Sequence, residues 1–129
     1  LDMGKAIFYE RTTTGGRIMD LDQYQEVASN YAMFPSDTSL MYLTLGLCGE
    51  SGEVAEKIKK YVRENGPLQN TYPTHYKEAL IRELGDVLWY LANLAKALNV
   101  PLNYVARKNI EKIQKRLENN TIKGEGDDR

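Results

Sequence analysis

Two pairs of acidic residues have a spacing suited to carboxylate chemistry. Glu50 and Glu53 lie in the stretch LGLCGESGEV, and Glu83 and Asp86 lie in RELGDV. The members of each pair are three positions apart, so on a helix their side chains are neighbours on one face. A helical wheel at about 100° per residue places both pairs on the same shoulder of an apolar stripe. If the two stripes pack together, four carboxylates meet at the edge of the core.

Four carboxylates at close range repel one another and are costly to desolvate. A hard divalent cation removes that conflict, because Mg²⁺ prefers oxygen ligands and keeps coordination positions for water and phosphate. The sequence therefore predicts a Mg²⁺ site, which Mn²⁺ could also occupy, formed by Glu50, Glu53, Glu83 and Asp86. Either pair alone would be ordinary on a solvated helix face, salt-bridged to Lys57, Lys60 or Arg82. The matched placement of the two pairs favours the metal site.

Three glycines interrupt the first acidic segment, although each costs roughly 1 kcal/mol against alanine in a helix interior. Gly46 and Gly49 lie near the acidic face, at about 320° and 260° when Glu50 is set to zero. The missing side chain would let another helix or a ligand approach the backbone there. Gly52 lies further round, where a helix irregularity explains it equally well.

The surrounding sequence predicts four helices that position these acids. Apolar residues at spacings of three and four favour helices over residues 21–34, 36–65, 75–99 and 101–119. Pro35 closes the first helix, Ser36 or Asp37 offers an N-cap to the second, ENGP stops it, and Pro101 suits the first turn of the fourth. We expect an all-α protein, a four-helix antiparallel bundle that oligomerisation completes.

The chain divides into three parts. Residues 1–18 have strand-like and turn-rich stretches and are expected to be a separate leader, native or of foreign origin, with Met19 as a candidate natural start. Residues 19–120 form the predicted helical domain. Residues 121–129 are charged and glycine-rich, which favours a flexible tail.

Composition excludes several classes of protein. The chain has 17 basic and 18 acidic residues, a net charge of −1, so no basic field for nucleic acid is expected. Its single cysteine, Cys48, cannot form an internal disulfide, and no apolar run approaches the roughly 20 residues of a membrane span. The N-terminus lacks a signal-peptide pattern. These features predict a cytoplasmic protein with no membrane or nucleic-acid partner.

The two acidic segments with their flanks, GLCGESGEVAEKIKKYV and ELGDVLWYLANLAKAL, resemble the MazG family of all-α nucleoside triphosphate pyrophosphohydrolases. The family signature is ExxE, a spacer and ExxD. NIEKIQKR and GEGDDR are similar to the ending of phage and bacterial members. The resemblance implies a bundle of the MazG/dCTPase type, active as a homodimer or homotetramer.

The resemblance also implies an activity. It is the Mg²⁺-dependent hydrolysis of a nucleoside or deoxynucleoside triphosphate to the monophosphate and pyrophosphate, for sanitation or recycling of the nucleotide pool. The four acids would hold the metal. A catalytic role in orienting or deprotonating the attacking water would fall to Glu53 or Glu50, and spacing does not choose between them.

Candidate substrate contacts lie on all four predicted helices and the tail. Lys57 and Lys60, at about 340° and 280° on the second helix, are candidates for the phosphates, with a solvated helix face as the alternative. By resemblance, Asn109, Lys112 and Arg116 match the pattern N-x-x-K-x-x-x-R that the family uses near the triphosphate. Lys123, Asp127 and Arg129 would form a lid over the phosphates or stay disordered. The candidates for the base are Tyr24, Gln25, Tyr31 and Trp89, of which Trp89 fits a subunit interface better.

Two other classes compete with this interpretation. A ferritin-like di-metal bundle needs Glu-x-x-His pairs. The lone histidine, His75, has Tyr72 and not a glutamate three residues before it, so the ferritin-like hypothesis has little support in the sequence. A non-catalytic helical regulatory or interaction module that has kept the fold stays open, and absence of Mg²⁺ affinity would support it.

Overall fold

The computed structural model describes residues 19–67 and 73–123. Within these ranges the protein has four α-helices, one short 3₁₀ turn at Ser36–Thr38 and no strand. The helices are α1 (Leu21–Ser29), α2 (Ser39–Asn65), α3 (Thr74–Ala97) and α4 (Leu102–Glu118). The all-α prediction is confirmed. The predictions for the leader and for Asp127 and Arg129 lie outside the described residues.

Helix α1 begins where the sequence predicts and ends earlier. Asp20 and Gln23 form a capping box, in which the Gln23 backbone N–H donates to Asp20 Oδ1 at 2.8 Å and the Asp20 N–H donates to Gln23 Oε1 at 3.0 Å. The helix ends at Ser29 because the next N–H groups, from Asn30 to Ala32, bond three residues back in successive tight turns. The chain between Ser29 and Pro35 is therefore a turn and not the end of a helix.

Helix α2 is the longest element, and its ends differ in how well the sequence predicts them. The N-cap position is Thr38, the last residue of the 3₁₀ turn, and neither Ser36 nor Asp37 caps α2. The C-terminal end falls within ENGP as predicted. There Gly66 has a φ of 79°, a left-handed conformation that favours glycine, and its N–H donates to the Val62 carbonyl at 2.8 Å.

Helices α2 and α3 form an antiparallel hairpin. Near the connection the Tyr61 and Tyr76 rings pack edge to face with centroids 4.6 Å apart, and the Tyr76 hydroxyl donates to Glu64 Oε2 at 2.7 Å. At the far end Tyr42 lies beside Tyr90, with centroids 6.4 Å apart. Residue numbers fall along α2 as they rise along α3, so the acidic segments face each other midway along the hairpin.

Helix α1 is hydrogen-bonded to the turn that joins α3 to α4, which we call the α3–α4 corner. The buried Gln25 amide donates to the Ala92 carbonyl at 3.1 Å and the Val100 carbonyl at 2.9 Å, and its oxygen accepts from the Leu102 N–H at 3.3 Å. Around it lies a small core of Ala28, Ala92, Ala95 and Leu102. The three alanines leave little side-chain volume between α1 and α3, so the helices can approach closely.

Much apolar surface stays uncovered in the described part of the chain. Ile110, Ile113 and Leu117 on α4 are exposed, as are Met41 and Leu45 on α2. Such surface on a small helical protein is consistent with the predicted oligomer, which stays a prediction. No helix among the described residues is long and apolar enough to cross a membrane.

Candidate metal centre

Three of the four predicted acids meet where α2 and α3 face each other. One carboxylate oxygen from each of Glu50, Glu83 and Asp86 lies within 4.8 Å of the other two. Glu83 and Asp86 are adjacent because they are three residues apart on α3, and the antiparallel packing brings Glu50 across from α2. Glu50 and Glu83 are half-buried, whereas Asp86 is exposed and leaves the group open to solvent. We call these three residues the acid cluster.

The charges in the acid cluster oppose one another. Burial raises the pKa of Glu50, and the charges of Asp86, Glu83 and Glu53 raise it further, in that order. The donors are all carboxylate oxygens, partly shielded on one side and accessible on the other. This set fits a hard divalent cation such as Mg²⁺, which would reverse the repulsion that holds Glu50 towards its neutral form.

Glu53 lies at the edge of this arrangement. Its side chain is exposed, and its oxygens are not among the three that converge. Its charge is the smallest of the contributions that raise the pKa of Glu50, so it lies close enough to act on the acid cluster electrostatically.

The lysines of α2 divide between two partners. Lys57 Nζ lies 3.3 Å from Glu83 Oε1, so this ammonium crosses the hairpin and pairs with the acid cluster. Lys59 and Lys60 both pair with Glu56 on their own helix, Lys60 at 3.5 Å. Of the two lysines predicted to contact phosphate, Lys57 lies at the acid cluster, whereas Lys60 pairs with Glu56 on its own helix.

An aromatic wall, formed by Phe34, Tyr42 and Tyr90, continues from the acid cluster. The Phe34 and Tyr42 rings are stacked with centroids 5.6 Å apart, and Tyr42 neighbours Tyr90. The pKa of Tyr90 is raised by burial, then by a hydrogen bond with Tyr42 and by the charges of Tyr42, Glu50 and Asp86. The sequence interpretation missed this wall. The available signal was Tyr90 itself, four residues after Asp86 and therefore on the same face of α3.

Gly46 makes room for this wall. A Cβ added at Gly46 would lie 2.0 Å from Tyr90 Cε1 and 2.4 Å from Cδ1, so the Tyr90 ring occupies the space that any side chain would need. The predicted close approach at Gly46 is confirmed, and the approaching group is an aromatic ring of α3. Added at Gly49 or Gly52, a Cβ would meet nothing within 4 Å among the described residues.

The four candidate base contacts have different environments. Tyr24 lies near the acid cluster, since its pKa is raised by burial and then by the Asp86 charge. Gln25 uses its amide to hold the α3–α4 corner, which accounts for its burial without a base. Tyr31 is 50% exposed beyond the end of α1. Trp89 packs against the small core and edge to face on Tyr90, 5.0 Å between centroids.

A cavity lies further along α3 on the side of the aromatic wall. It is lined by Ser29, Ala32, Phe34, Ser36, Ser39, Asn93, Lys96 and Ala97. Asn93, buried in its wall, donates from Nδ2 to the Trp89 carbonyl at 3.0 Å. At 1.5 Å rise per residue, the seven positions from Asp86 to Asn93 span about 10 Å. The acid cluster, Tyr90 and this cavity thus follow one another along a single face of α3.

The predicted contacts on α4 lie elsewhere. Asn109 and Lys112 line a groove with Tyr104, Lys108 and the α3–α4 corner, and no residue of the acid cluster lines it. Arg116, half-buried one turn further on, accepts from the Thr121 N–H through its carbonyl at 2.8 Å. Within the described chain, these α4 residues are not gathered around the acids.

The fold and the acid cluster define an all-α protein with a carboxylate metal centre as its candidate site. The family model for the MazG nucleotide pyrophosphohydrolase domain matches residues 38–121, which contain the whole hairpin and α4. The chain belongs to this family, so the predicted membership is confirmed, and at family level it is a pyrophosphohydrolase-type hydrolase. It is also 40% identical over 117 residues to the Gene 37 protein of Mycobacterium phage L5, an alignment that covers 86% of this chain and 100% of the relative. No solved structure matches the chain significantly.

Proposed function

We propose that this protein hydrolyses nucleoside or deoxynucleoside triphosphates to the monophosphate and pyrophosphate with the help of Mg²⁺. The observation that carries the proposal is the convergence of Glu50, Glu83 and Asp86 from both arms of the hairpin, within 4.8 Å. Family membership supports the same reaction class. Acting on the nucleotide pool, in sanitation or recycling, would place the protein in the cytoplasm.

The acid cluster would hold Mg²⁺ or Mn²⁺, with Glu53 as a further carboxylate at its edge. When bound, such an ion lowers the pKa of a water and offsets negative charge on the triphosphate. Glu53 is exposed beside the cluster, which suits it to orient the attacking water and accept its proton. Glu50 is more shielded and is better suited to hold the cation than to exchange protons with solvent.

The base and sugar would extend from the acid cluster along α3. Tyr90 follows Asp86 by one turn, and the cavity beside Phe34 and Asn93 follows by another. The span of about 10 Å from Asp86 to Asn93 is comparable to the length of a nucleoside. The cavity combines one aromatic ring with serine hydroxyls and a buried amide, which suits a flat polar ring. We therefore propose this cavity for the base, with Tyr24 nearer the phosphates.

The triphosphate needs more positive charge than the hairpin supplies to it. Lys57 is the α2 lysine at the acid cluster, while Lys59 and Lys60 pair with Glu56. The groups proposed from the family pattern, Asn109, Lys112 and Arg116, lie on α4. We propose that a second copy of the chain brings its α4 to this site, as a homodimer or homotetramer, and that the exposed apolar residues of α2 and α4 form the contact.

Product analysis tests the reaction. The protein is incubated with a panel of ribo- and deoxynucleoside triphosphates and Mg²⁺, and pyrophosphate and orthophosphate are measured separately. Pyrophosphate and monophosphate in equal amounts are expected, with at least a hundredfold loss in Glu50→Gln and no change in Glu78→Gln, an exposed glutamate of α3. Release of orthophosphate as the first product would contradict the proposal. Absence of turnover together with absence of Mg²⁺ affinity would support the non-catalytic module.

A further inference from the structure

An ion pair between Lys57 and Glu83 links a basic side chain of α2 to the acid cluster. Glu83 is the better shielded partner, with 17% of its side chain exposed, and Lys57 is 36% exposed. Lys57 therefore reaches its partner from the solvent side. The neighbouring lysines of α2 remain with Glu56, so only Lys57 spans the hairpin among them.

In the absence of a cation, this ammonium offsets part of the repulsion within the acid cluster. Three carboxylates share a space less than 5 Å across, and Lys57 supplies one positive charge at Glu83 Oε1. A divalent cation held by Glu83 would repel the same ammonium, since both positive charges would then lie on one carboxylate. The ammonium and the cation thus compete for Glu83.

We propose that Lys57 is a phosphate-binding residue that exchanges partners, from Glu83 in the metal-free protein to a phosphate of the substrate once the cation is bound. Rotation of the Lys57 side chain is enough for this exchange, because lysine has a flexible four-carbon stem and three rotatable donors. The exchange makes binding of the cation alone weaker than the carboxylates would allow. The exchange also brings the Lys57 ammonium to the phosphates when the metal ion binds. This inference rests on the proposed function for the identity of the phosphate ligand.

The exchange predicts effects of opposite sign for one substitution. Lys57→Met removes the competitor for Glu83, so Mn²⁺ alone should bind about fivefold more tightly. The same variant loses a phosphate contact, so the Mn²⁺-loaded protein should bind inorganic pyrophosphate about tenfold more weakly. A residue that merely supported the hairpin would weaken both, and one that only contacted phosphate would leave Mn²⁺ affinity unchanged.

Calorimetry on the full chain measures both affinities without turnover. Mn²⁺ is titrated into metal-free protein, and the Mn²⁺–pyrophosphate complex is titrated into Mn²⁺-saturated protein. Lys59→Met is the matched control, because Lys59 lies on the same helix and pairs with Glu56. Its two affinities should stay within twofold of wild type. Lys57→Arg keeps the charge and the ion pair and should keep both affinities within about threefold. Lys57→Gln is a second neutral variant and should behave as Lys57→Met does. Circular dichroism of each variant verifies that it keeps the helical fold.

Two results would overturn the exchange. One is Mn²⁺ affinity in Lys57→Met and Lys57→Gln that is equal to or lower than in wild type. The other is pyrophosphate affinity equal to that of wild type. If the nucleotide panel showed no hydrolysis while the opposite-sign pattern held, the proposed reaction would be wrong and the exchange at Glu83 would stand.

Discussion

The substitution Gly46→Ala tests how closely α2 and α3 approach beside the acid cluster. In an ordinary helix interior this change stabilises the protein by about 1 kcal/mol, because alanine is the better helix former. Here the new Cβ would fall 2.0 Å from Tyr90 Cε1 and 2.5 Å from Cζ. The ring would have to turn away from α2 and lose its hydrogen bond with Tyr42.

Gly52→Ala is the matched control for this prediction. Gly52 lies in the interior of the same helix, and a Cβ there would meet nothing within 4 Å. Its substitution should stabilise the protein by up to about 1 kcal/mol. Overpacking at Gly46 costs about 1–3 kcal/mol. Because the gain in helix propensity is common to both variants, Gly46→Ala should be the less stable of the two by about 1–3 kcal/mol.

Urea unfolding of the two variants at equal protein concentration, without metal, measures this difference as a shift in midpoint at constant slope. In a Tyr90→Ala background the penalty should disappear, and Gly46→Ala should stabilise the protein as Gly52→Ala does. If Gly46→Ala in the otherwise wild-type chain were as stable as Gly52→Ala, the close packing of Tyr90 on α2 would be refuted.

Three further predictions concern Gln25, Glu50 and Glu53. Gln25→Leu leaves three backbone groups at the α3–α4 corner without their partner and should lower the free energy of unfolding by about 2–4 kcal/mol, measured in urea; a loss below 0.5 kcal/mol would contradict the contacts. The raised pKa of Glu50 favours the metal-free fold at acidic pH, and that contribution should be lost as pH rises from the ordinary carboxyl pKa through the raised value. Thermal unfolding measured over this pH range should show no such loss in Glu50→Gln. The same pH dependence in Glu50→Gln and wild type would refute the raised pKa of Glu50. Glu53→Gln should lower kcat by about a hundredfold while weakening Mn²⁺ binding less than Glu50→Gln does; undiminished turnover would exclude the proposed role of Glu53.

The helices could be predicted from local sequence patterns, because a helix and its ends depend on residues that are neighbours in the sequence. The spacing of apolar residues gave four helices, and Gly66 gave the end of α2 through its left-handed conformation. The shared placement of the two acid pairs predicted that four carboxylates would meet, and three of them, Glu50, Glu83 and Asp86, converge. These inferences needed only helix geometry and one assumption, that the two apolar stripes face each other.

Features set by packing between distant segments escaped prediction. The early end of α1 and the role of Gln25 at the α3–α4 corner depend on which helices touch and at what angle. A salt bridge from Lys57 to the acids was expected only as the alternative to a metal site, and packing across the hairpin makes Glu83 its partner. Tyr42 was missed because its relation to the acids passes through Tyr90 on another helix. Single-chain periodicity also carries no information on whether the α4 residues of a second copy reach the acids.

The most direct test of the account is a calorimetric titration of the metal-free protein with Mn²⁺, without nucleotide. Wild type and Glu78→Gln should show the same saturable binding, and Glu50→Gln should bind at least tenfold more weakly, because it removes one of three converging carboxylates. Binding that is absent in wild type, or equal in Glu50→Gln and wild type, would contradict the claim that the acid cluster holds a divalent cation.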